Sequence, residues 1–174
     1  MNKTLNFFVT GWRFLQAYPR VILPILTLVL CGYGYEVLVA RPALLYQGEP
    51  QAISAFNPNT WFRTLRNNGF IVGYSDLRGN PLWVEYALTP LSNNAPRLER
   101  PSHFQSDWRA LNRVDHEDYT KSGFDRGHNA PNFAISAIYG KYAQAETFLM
   151  TNISPQRPKL NQQLREIRNS YTVL

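Results

Sequence analysis

The chain has 174 residues, of which 44% are hydrophobic and 17% are charged, and it carries a formal net charge of +6 at pH 7. This length fits one domain whose core folds without cross-links, and the composition argues against a chain that is disordered throughout. Cys31 is the only cysteine, which excludes an internal disulfide and a zinc site built from several thiolates. The mild excess of Lys and Arg permits a polyanionic partner without requiring one.

Residues 21–40, VILPILTLVLCGYGYEVLVA, are strongly apolar and carry Glu36 as their one charge. About twenty apolar residues span the hydrocarbon core of a bilayer as a helix. Arg20 and Arg41 bracket the stretch, which favours a membrane span over a buried core helix. We therefore predict that residues 1–41 form an N-terminal membrane anchor or signal segment, with residues 21–40 contacting the membrane.

The distribution of positive charge around this stretch predicts its orientation. Lys3, Arg13 and Arg20 precede the stretch, and Arg41 alone follows it closely. Positive residues beside a span tend to stay in the cytoplasm, so we expect the rest of the chain on the non-cytoplasmic side, periplasmic or extracellular. A cleaved signal peptide is the alternative, and the rest of the chain would then be secreted.

The next segment, residues 42–58, is interrupted by three prolines and one glycine and is predicted to be a linker. Residues 59–174 then form the folded domain. Within it, residues 70–74 and 82–88 are rich in aromatic and β-branched side chains and predict antiparallel strands. The Asn68-Gly69 pair predicts a turn before the first of them.

The second half of the domain mixes short strands and helices. FDRGHNAP (residues 124–131) predicts a short strand running into a glycine turn, and residues 134–148 have some helical spacing of apolar residues. FLMTNISPQ (residues 148–156) predicts a strand running into a loop, and residues 160–170 predict an amphipathic helix. Strands come first and a ββα-like stretch follows, so the predicted fold class is α+β.

Three polar motifs follow one another here: DRGH at residues 125–128, NISPQ at 152–156 and LNQ at 160–162. This ordered set resembles the DNA/RNA non-specific endonucleases, a His-Me finger (ββα-metal) family that includes endonuclease G. The resemblance runs from Asn68 to Gln163 and includes the NPLWVEYALT stretch and the residues Phe104, Asp107 and Arg109. It implies a His-Me finger nuclease core with antiparallel strands, preceded by the N-terminal transmembrane or signal helix.

The resemblance also implies roles for four residues. His128 matches the catalytic base of the family, and a neutral imidazole can accept a proton from water at neutral pH. Arg126 is expected to act in catalysis and to bind substrate, because its forked donors fit phosphate oxygens. Asn152 matches a position that the family uses near the metal site or to hold it, and it is expected to bind substrate. Asn161 matches the metal ligand, with Mg²⁺ as the expected ion and Mn²⁺ as another possibility, because Mg²⁺ keeps several waters and needs few protein ligands.

Other roles for these residues stay open at this point. Asp125 is expected to orient its neighbours, and Gly127 to let the backbone bend so that the following histidine projects into the cleft. Arg126 could instead pair with Asp125, Asn152 could be a turn residue, and Asn161 could cap the last helix.

The chain departs from the family pattern near its end. The family helix after the metal-binding Asn carries a Trp four residues on and a Glu eight residues on, where this chain has Arg165 and Asn169. Glu166 is the nearest acid and a candidate replacement. Family domains also continue beyond this helix, so the resemblance predicts a nuclease domain that is incomplete at its C-terminus.

The predicted function is a Mg²⁺-dependent endonuclease that hydrolyses DNA, RNA or both with little sequence specificity, since no module for reading bases is evident. The alternative is a truncated, inactive relative that at most binds nucleic acid or serves as a membrane-tethered interaction module.

Overall fold

A computed structural model describes residues 3–52, 54–91 and 97–161 of the chain. The chain divides into two compact units, Met1–Ala43 and Leu44–Leu174. The predictions for Arg165, Glu166 and Asn169, and most of the predicted helix that carries them, lie outside the described residues.

The first unit is helical. Helix α1 spans Lys3–Ala17, and helix α2 spans Pro19–Tyr35 and continues as a π-helical turn over Glu36–Ala40. The apolar helical run Pro19–Leu44 has 26 residues and a mean hydropathy of 1.9, and none of it is buried. It is long and apolar enough to cross a membrane, which confirms the predicted N-terminal apolar helix.

The π-helical turn brings the one acid of the apolar stretch to the arginine that follows it. The backbone N–H of Arg41 donates to the carbonyl of Glu36 over 3.0 Å, and Arg41 Nε lies 3.4 Å from Glu36 Oε1. A π turn stacks residues five positions apart, whereas a regular α-helix stacks residues three or four apart. The carboxylate is thus paired at the end of the apolar run.

The second unit is built on a three-stranded antiparallel sheet in the order β1-β2-β3. Strand β1 spans Arg63–Asn67, β2 spans Phe70–Ser75 and β3 spans Asn80–Tyr86. The two predicted strands are confirmed as β2 and β3, although β3 begins before the predicted Leu82 and ends before Leu88. The central strand β2 is buried along its whole length, as its apolar composition leads one to expect.

A second, two-stranded antiparallel sheet pairs β4, Asp125–His128, with β5, Ile153–Gln156. The turn Met150–Asn152 is a 3₁₀-helix that precedes β5. The prediction of a strand running into a loop over residues 148–156 was therefore wrong in its order. Pro155 is tolerated in β5 because each strand of a two-stranded sheet is an edge strand.

Helix α3, Asn132–Thr147, connects the two small-sheet strands and confirms the predicted helix. It breaks at Gly140, where φ is 84° and ψ is −167°. Helix α3 packs its apolar side chains on the large sheet, and the resulting core contains Leu65, Phe70, Val72, Tyr74, Ala110, Ala130, Ile135 and Ala143. Burying one large apolar side chain contributes about 1.5–3 kcal/mol, so this core holds α3 and the residues before it in place. The mixture of helices with antiparallel sheets confirms the α+β class.

Candidate active site

Two of the sequence motifs become neighbouring strands. In the β4–β5 pair, Asp125 lies opposite Gln156, and His128 lies opposite Ile153. The DRGH and NISPQ motifs, which are distant in sequence, are thereby joined by backbone hydrogen bonds. The small sheet is the scaffold on which the candidate site is built.

The imidazole of His128 packs among aromatic rings. Its centroid lies 5.4 Å from that of Phe104 and 4.9 Å from that of Phe148, with the Phe148 ring edge-on to it. The guanidinium carbon of Arg100 lies 5.2 Å from the Phe148 centroid. The rings restrict the orientation of the imidazole, and Arg100 adds positive charge beside the Phe148 ring. Nothing in the local sequence distinguishes Arg100 from Arg97 in the same irregular stretch, so sequence reasoning missed its contact with Phe148.

Arg126 is held by the loop that precedes β4. Its Nη2 donates to the carbonyl of His116 over 2.6 Å and to Oγ1 of Thr120 over 3.3 Å. Its guanidinium carbon lies 5.8 Å from the ring centroid of Tyr119. Burial raises the pKa of Tyr119 against the opposing effect of Arg126, so the phenol stays neutral below the cation. These contacts use Nη2 of Arg126, so only some of its guanidinium N–H groups remain to bind a phosphate.

Asn161 and Asp125 are brought together. Nδ2 of Asn161 donates to Oδ2 of Asp125 over 2.9 Å. The backbone N–H of Asn161 donates to the carbonyl of Arg157 over 3.1 Å, an i→i−4 bond within a helical turn at residues 158–161. Asn161 is therefore itself part of the helical turn, and the alternative in which it caps the start of this helix is wrong.

Asn152 is fully buried and bound to the backbone. Its Oδ1 accepts from the N–H of Ala130 over 2.8 Å, and its Nδ2 donates to the carbonyls of Ala130 at 3.1 Å and Thr147 at 2.9 Å. Its own carbonyl accepts the backbone N–H of Asn129, the residue after His128, over 3.0 Å. A fully buried amide with these partners cannot touch substrate, so the geometry contradicts the expected substrate-binding role of Asn152.

Gly127 leaves space for a neighbouring side chain rather than allowing a bend. It lies within the extended strand β4 and is not among the glycines with positive φ in the described part of the chain. A Cβ at this position would lie 1.9 Å from Cδ of Gln156, whose side chain crosses the strand there. The expectation that Gly127 bends the backbone is therefore corrected.

A model of the DNA/RNA non-specific endonuclease family matches residues 49–167. The chain belongs to this family. The endonuclease match begins at residue 49, so it includes ten residues of the segment predicted to be a linker. The predicted His-Me nuclease core agrees with this membership.

The chain is similar to several members of the endonuclease family. It is 34% identical over 151 residues to mitochondrial endonuclease G of Bos taurus, covering 84% of this chain and 48% of that protein. It is 32% identical over 122 residues to a nuclease of Syncephalastrum racemosum, covering 68% of this chain and 38% of that protein. A solved structure of an EndoG/EndoGI complex matches with a TM-score of 0.49 and 24% identity, over 61% of this chain and 46% of that one. The chain thus spans less than half the length of these relatives.

The donor atoms of the candidate site fit a hard divalent cation. The described residues contain no group of three or more His, Cys, Asp or Glu side chains arranged to hold a metal. Asn161 nevertheless has an amide oxygen, and its amide nitrogen is in hydrogen-bond contact with the carboxylate of Asp125. Mg²⁺ prefers oxygen ligands and keeps several waters, so few protein ligands suffice. The expectation that His128 and Asn161 face the same phosphate stays a prediction.

Proposed function

We propose that this chain is a Mg²⁺-dependent endonuclease that hydrolyses phosphodiester bonds of DNA, RNA or both with little sequence specificity. The observation that carries the proposal is that two of the candidate residues lie on the same short strand, β4. Its last residue is His128, and its first residue, Asp125, holds Asn161 by a hydrogen bond of 2.9 Å. One four-residue strand therefore bears both a proton acceptor and the support for a metal ligand.

In the proposed reaction, His128 takes a proton from the attacking water. A neutral imidazole is suited to this step near neutral pH. The rings of Phe104 and Phe148 hold the imidazole in one orientation, which reduces the entropy lost when water and phosphate are brought together.

Arg126 and Asn161 supply the charge stabilisation. Arg126 keeps guanidinium N–H groups that are not used by His116 or Thr120, and these donate to phosphate oxygens. Asn161 would hold Mg²⁺ through Oδ1, with Asp125 beside it. When bound, the ion neutralises phosphate charge and stabilises the leaving oxygen. Contacts to phosphate carry no sequence information, which fits low specificity.

We further propose that the N-terminal unit anchors the enzyme in a membrane, with the nuclease domain on the non-cytoplasmic side. The helical run of 26 residues is longer than the 7–15 apolar residues that a signal peptide typically has. The ion pair of Glu36 with Arg41 removes the cost of an unpaired charge at the end of the run. An epitope tag at the N-terminus tests this proposal. If the full-length tagged chain is found in the membrane fraction, the anchor is supported. If the mature chain has lost the tag, the segment is a cleaved signal peptide.

The experiment that tests the proposed activity uses the full chain in detergent with linear double-stranded DNA and with single-stranded RNA. Cleavage that requires Mg²⁺, is abolished in His128→Ala and persists in His103→Ala supports the proposal. His103 is a matched control because it is an exposed histidine in the loop before β4. Cleavage that is unchanged in His128→Ala overturns it. Salt-dependent DNA binding by a wild-type chain that cuts neither substrate favours the inactive relative instead.

A further inference from the structure

The loop that carries Phe104 is hydrogen-bonded to the segment that carries Phe148. The N–H of Gln105 donates to the carbonyl of Phe148 over 3.0 Å, and the N–H of Met150 donates to the carbonyl of Gln105 over 2.8 Å. Both aromatic rings that contact His128 therefore depend on how these two segments are aligned.

Asp107 lies two residues after Gln105, in the first of these two hydrogen-bonded segments, and is 1% exposed. Its carboxylate accepts from Nε of Arg109 at 2.9 Å, from Nη2 of Arg109 at 2.7 Å, and from Oγ1 of Thr151 at 2.7 Å. Burial raises the pKa of Asp107, but the hydrogen bonds from Arg109 and Thr151 outweigh burial and hold it below its ordinary value. Asp107 is therefore a buried, fully paired anion at neutral pH.

Arg109 fixes this anion to the large sheet. Its Nη1 donates to the carbonyl of Arg66 and its Nη2 donates to Oδ1 of Asn67, each over 2.8 Å. Arg109 thus ties Asp107 to β1. The carboxylate of Asp107 is also bound to Thr151, which lies in the segment before β5.

From Thr151 the contacts continue to the catalytic strand. The next residue, Asn152, binds both backbone polar groups of Ala130 and accepts the backbone N–H of Asn129. Asn129 directly follows His128. A continuous path of hydrogen bonds and peptide links therefore runs from β1, through Asp107 and Thr151, to the residue after the proposed base.

We propose that the Asp107–Thr151 hydrogen bond is a positioning device for His128. It aligns the Phe104 and Phe148 segments, and it holds the turn to which the end of β4 is tied. This inference rests on the proposed nuclease function. Thr151 and Asp107 touch neither substrate nor metal, so they are positioning residues and not catalytic ones.

The test compares Thr151→Val with Thr151→Ser in the full chain. Valine keeps the size of the side chain and removes the donor, while Arg109 still neutralises Asp107, so the variant is expected to fold. Because small displacements of a catalytic group cost rate, Thr151→Val should lower kcat on the order of 10- to 100-fold with little change in KM. Thr151→Ser, which restores the hydroxyl, should recover most of the rate.

A matched control separates positioning from stability. Asp76 accepts the N–H of Leu111 over 2.7 Å and pairs with Arg63, so it anchors the far end of the same loop. Asp76→Asn should lower Tm without lowering kcat. An unchanged kcat in Thr151→Val, or an equal loss of kcat in Asp76→Asn, overturns the inference.

A second measurement does not depend on activity. The chain has three histidines, so histidine-selective ¹³C labelling gives a spectrum in which the His128 ring can be assigned by substitution. Thr151→Val should shift or broaden the His128 ring signal and leave that of His103 unchanged. A His128 signal identical to that of wild type overturns the inference. Absence of cleavage by the wild-type chain contradicts the proposed function instead.

Discussion

Asn161 donates its side-chain N–H to the carboxylate of Asp125, with 2.9 Å between Nδ2 and Oδ2. An ionised carboxylate only accepts hydrogen bonds, so the nitrogen of the amide must face it, and the oxygen Oδ1 is left as the atom that can bind a cation. The first residue of the DRGH motif thereby sets the orientation of the asparagine in the LNQ motif. The two motifs form one physical unit.

Asp125→Asn should weaken Mg²⁺ binding, because the new side chain can present either its oxygen or its NH₂ group to Asn161 and no longer fixes which atom of that amide faces it. Substitution of a residue that supports a metal ligand typically lowers metal affinity by about 10- to 100-fold. Isothermal titration of the full chain with MgCl₂ measures this effect without reference to turnover. Asp76→Asn removes the same charge at a distance from β4 and should leave the affinity unchanged. Equal affinities for wild type and Asp125→Asn would contradict the assigned role.

Gly127→Ala should destabilise the protein by about 0.5–1.5 kcal/mol, because the new Cβ overlaps the flexible side chain of Gln156 and forces it into another rotamer. Urea unfolding of the full chain measures the loss. Truncating the obstructing side chain removes the overlap, so Gly127→Ala should cost much less in a Gln156→Ala background. The double-mutant cycle is expected to give a coupling of about 0.5–3 kcal/mol. A loss of the same size in both backgrounds would mean that the glycine serves another purpose.

In the large sheet, the two strands with strong local signals were predictable from the sequence, and the weakly marked β1 was not. β2 and β3 are aromatic and β-branched, so local preference and burial agree. β1 has the sequence RTLRN, in which Leu65 is the only apolar residue. It pairs with β2 because Leu65 enters the core and because Asn67, two residues on, is held by Arg109. These contacts are long-range and leave no local pattern.

For the site, the motifs gave candidate residues but not their surroundings. The sequence predicted that His128 and Asn161 belong to one site. The sequence could not reveal that Asn152 is buried, because its burial depends on contact with Ala130, which lies 22 residues earlier in the chain. The link between Asp107 and Thr151 joins residues 44 positions apart, so no window of sequence contains it.

Gly140→Ala should destabilise the protein by about 1–3 kcal/mol, because the backbone there has φ of 84° and ψ of −167°, a region that is almost restricted to glycine. There is open space around this position, so the cost is conformational and not steric. Thermal unfolding measures the loss, and the neighbouring substitution Lys141→Ala serves as the control. A melting temperature equal to that of wild type would indicate that α3 can run through residue 140 without a break.

The stability contributed by Asp76 should depend on pH in a defined direction. The hydrogen bond from Arg63 holds the pKa of Asp76 below its ordinary value of 3.8, with the N–H of Leu111 adding to this effect against partial burial. A carboxyl group whose pKa is lower in the folded state stabilises the fold fully when the pH is above its unfolded-state pKa. That stabilisation is lost as the pH falls through its folded-state pKa. The difference in Tm between wild type and Asp76→Asn should therefore be largest at about pH 7 and shrink towards about pH 2. Tyr139→Phe, which removes a hydroxyl that donates to the carbonyl of Ala87 over 3.2 Å, should show a difference that does not follow this dependence. A difference for Asp76→Asn that stays constant down to the acid limit would show that the carboxylate charge does not contribute.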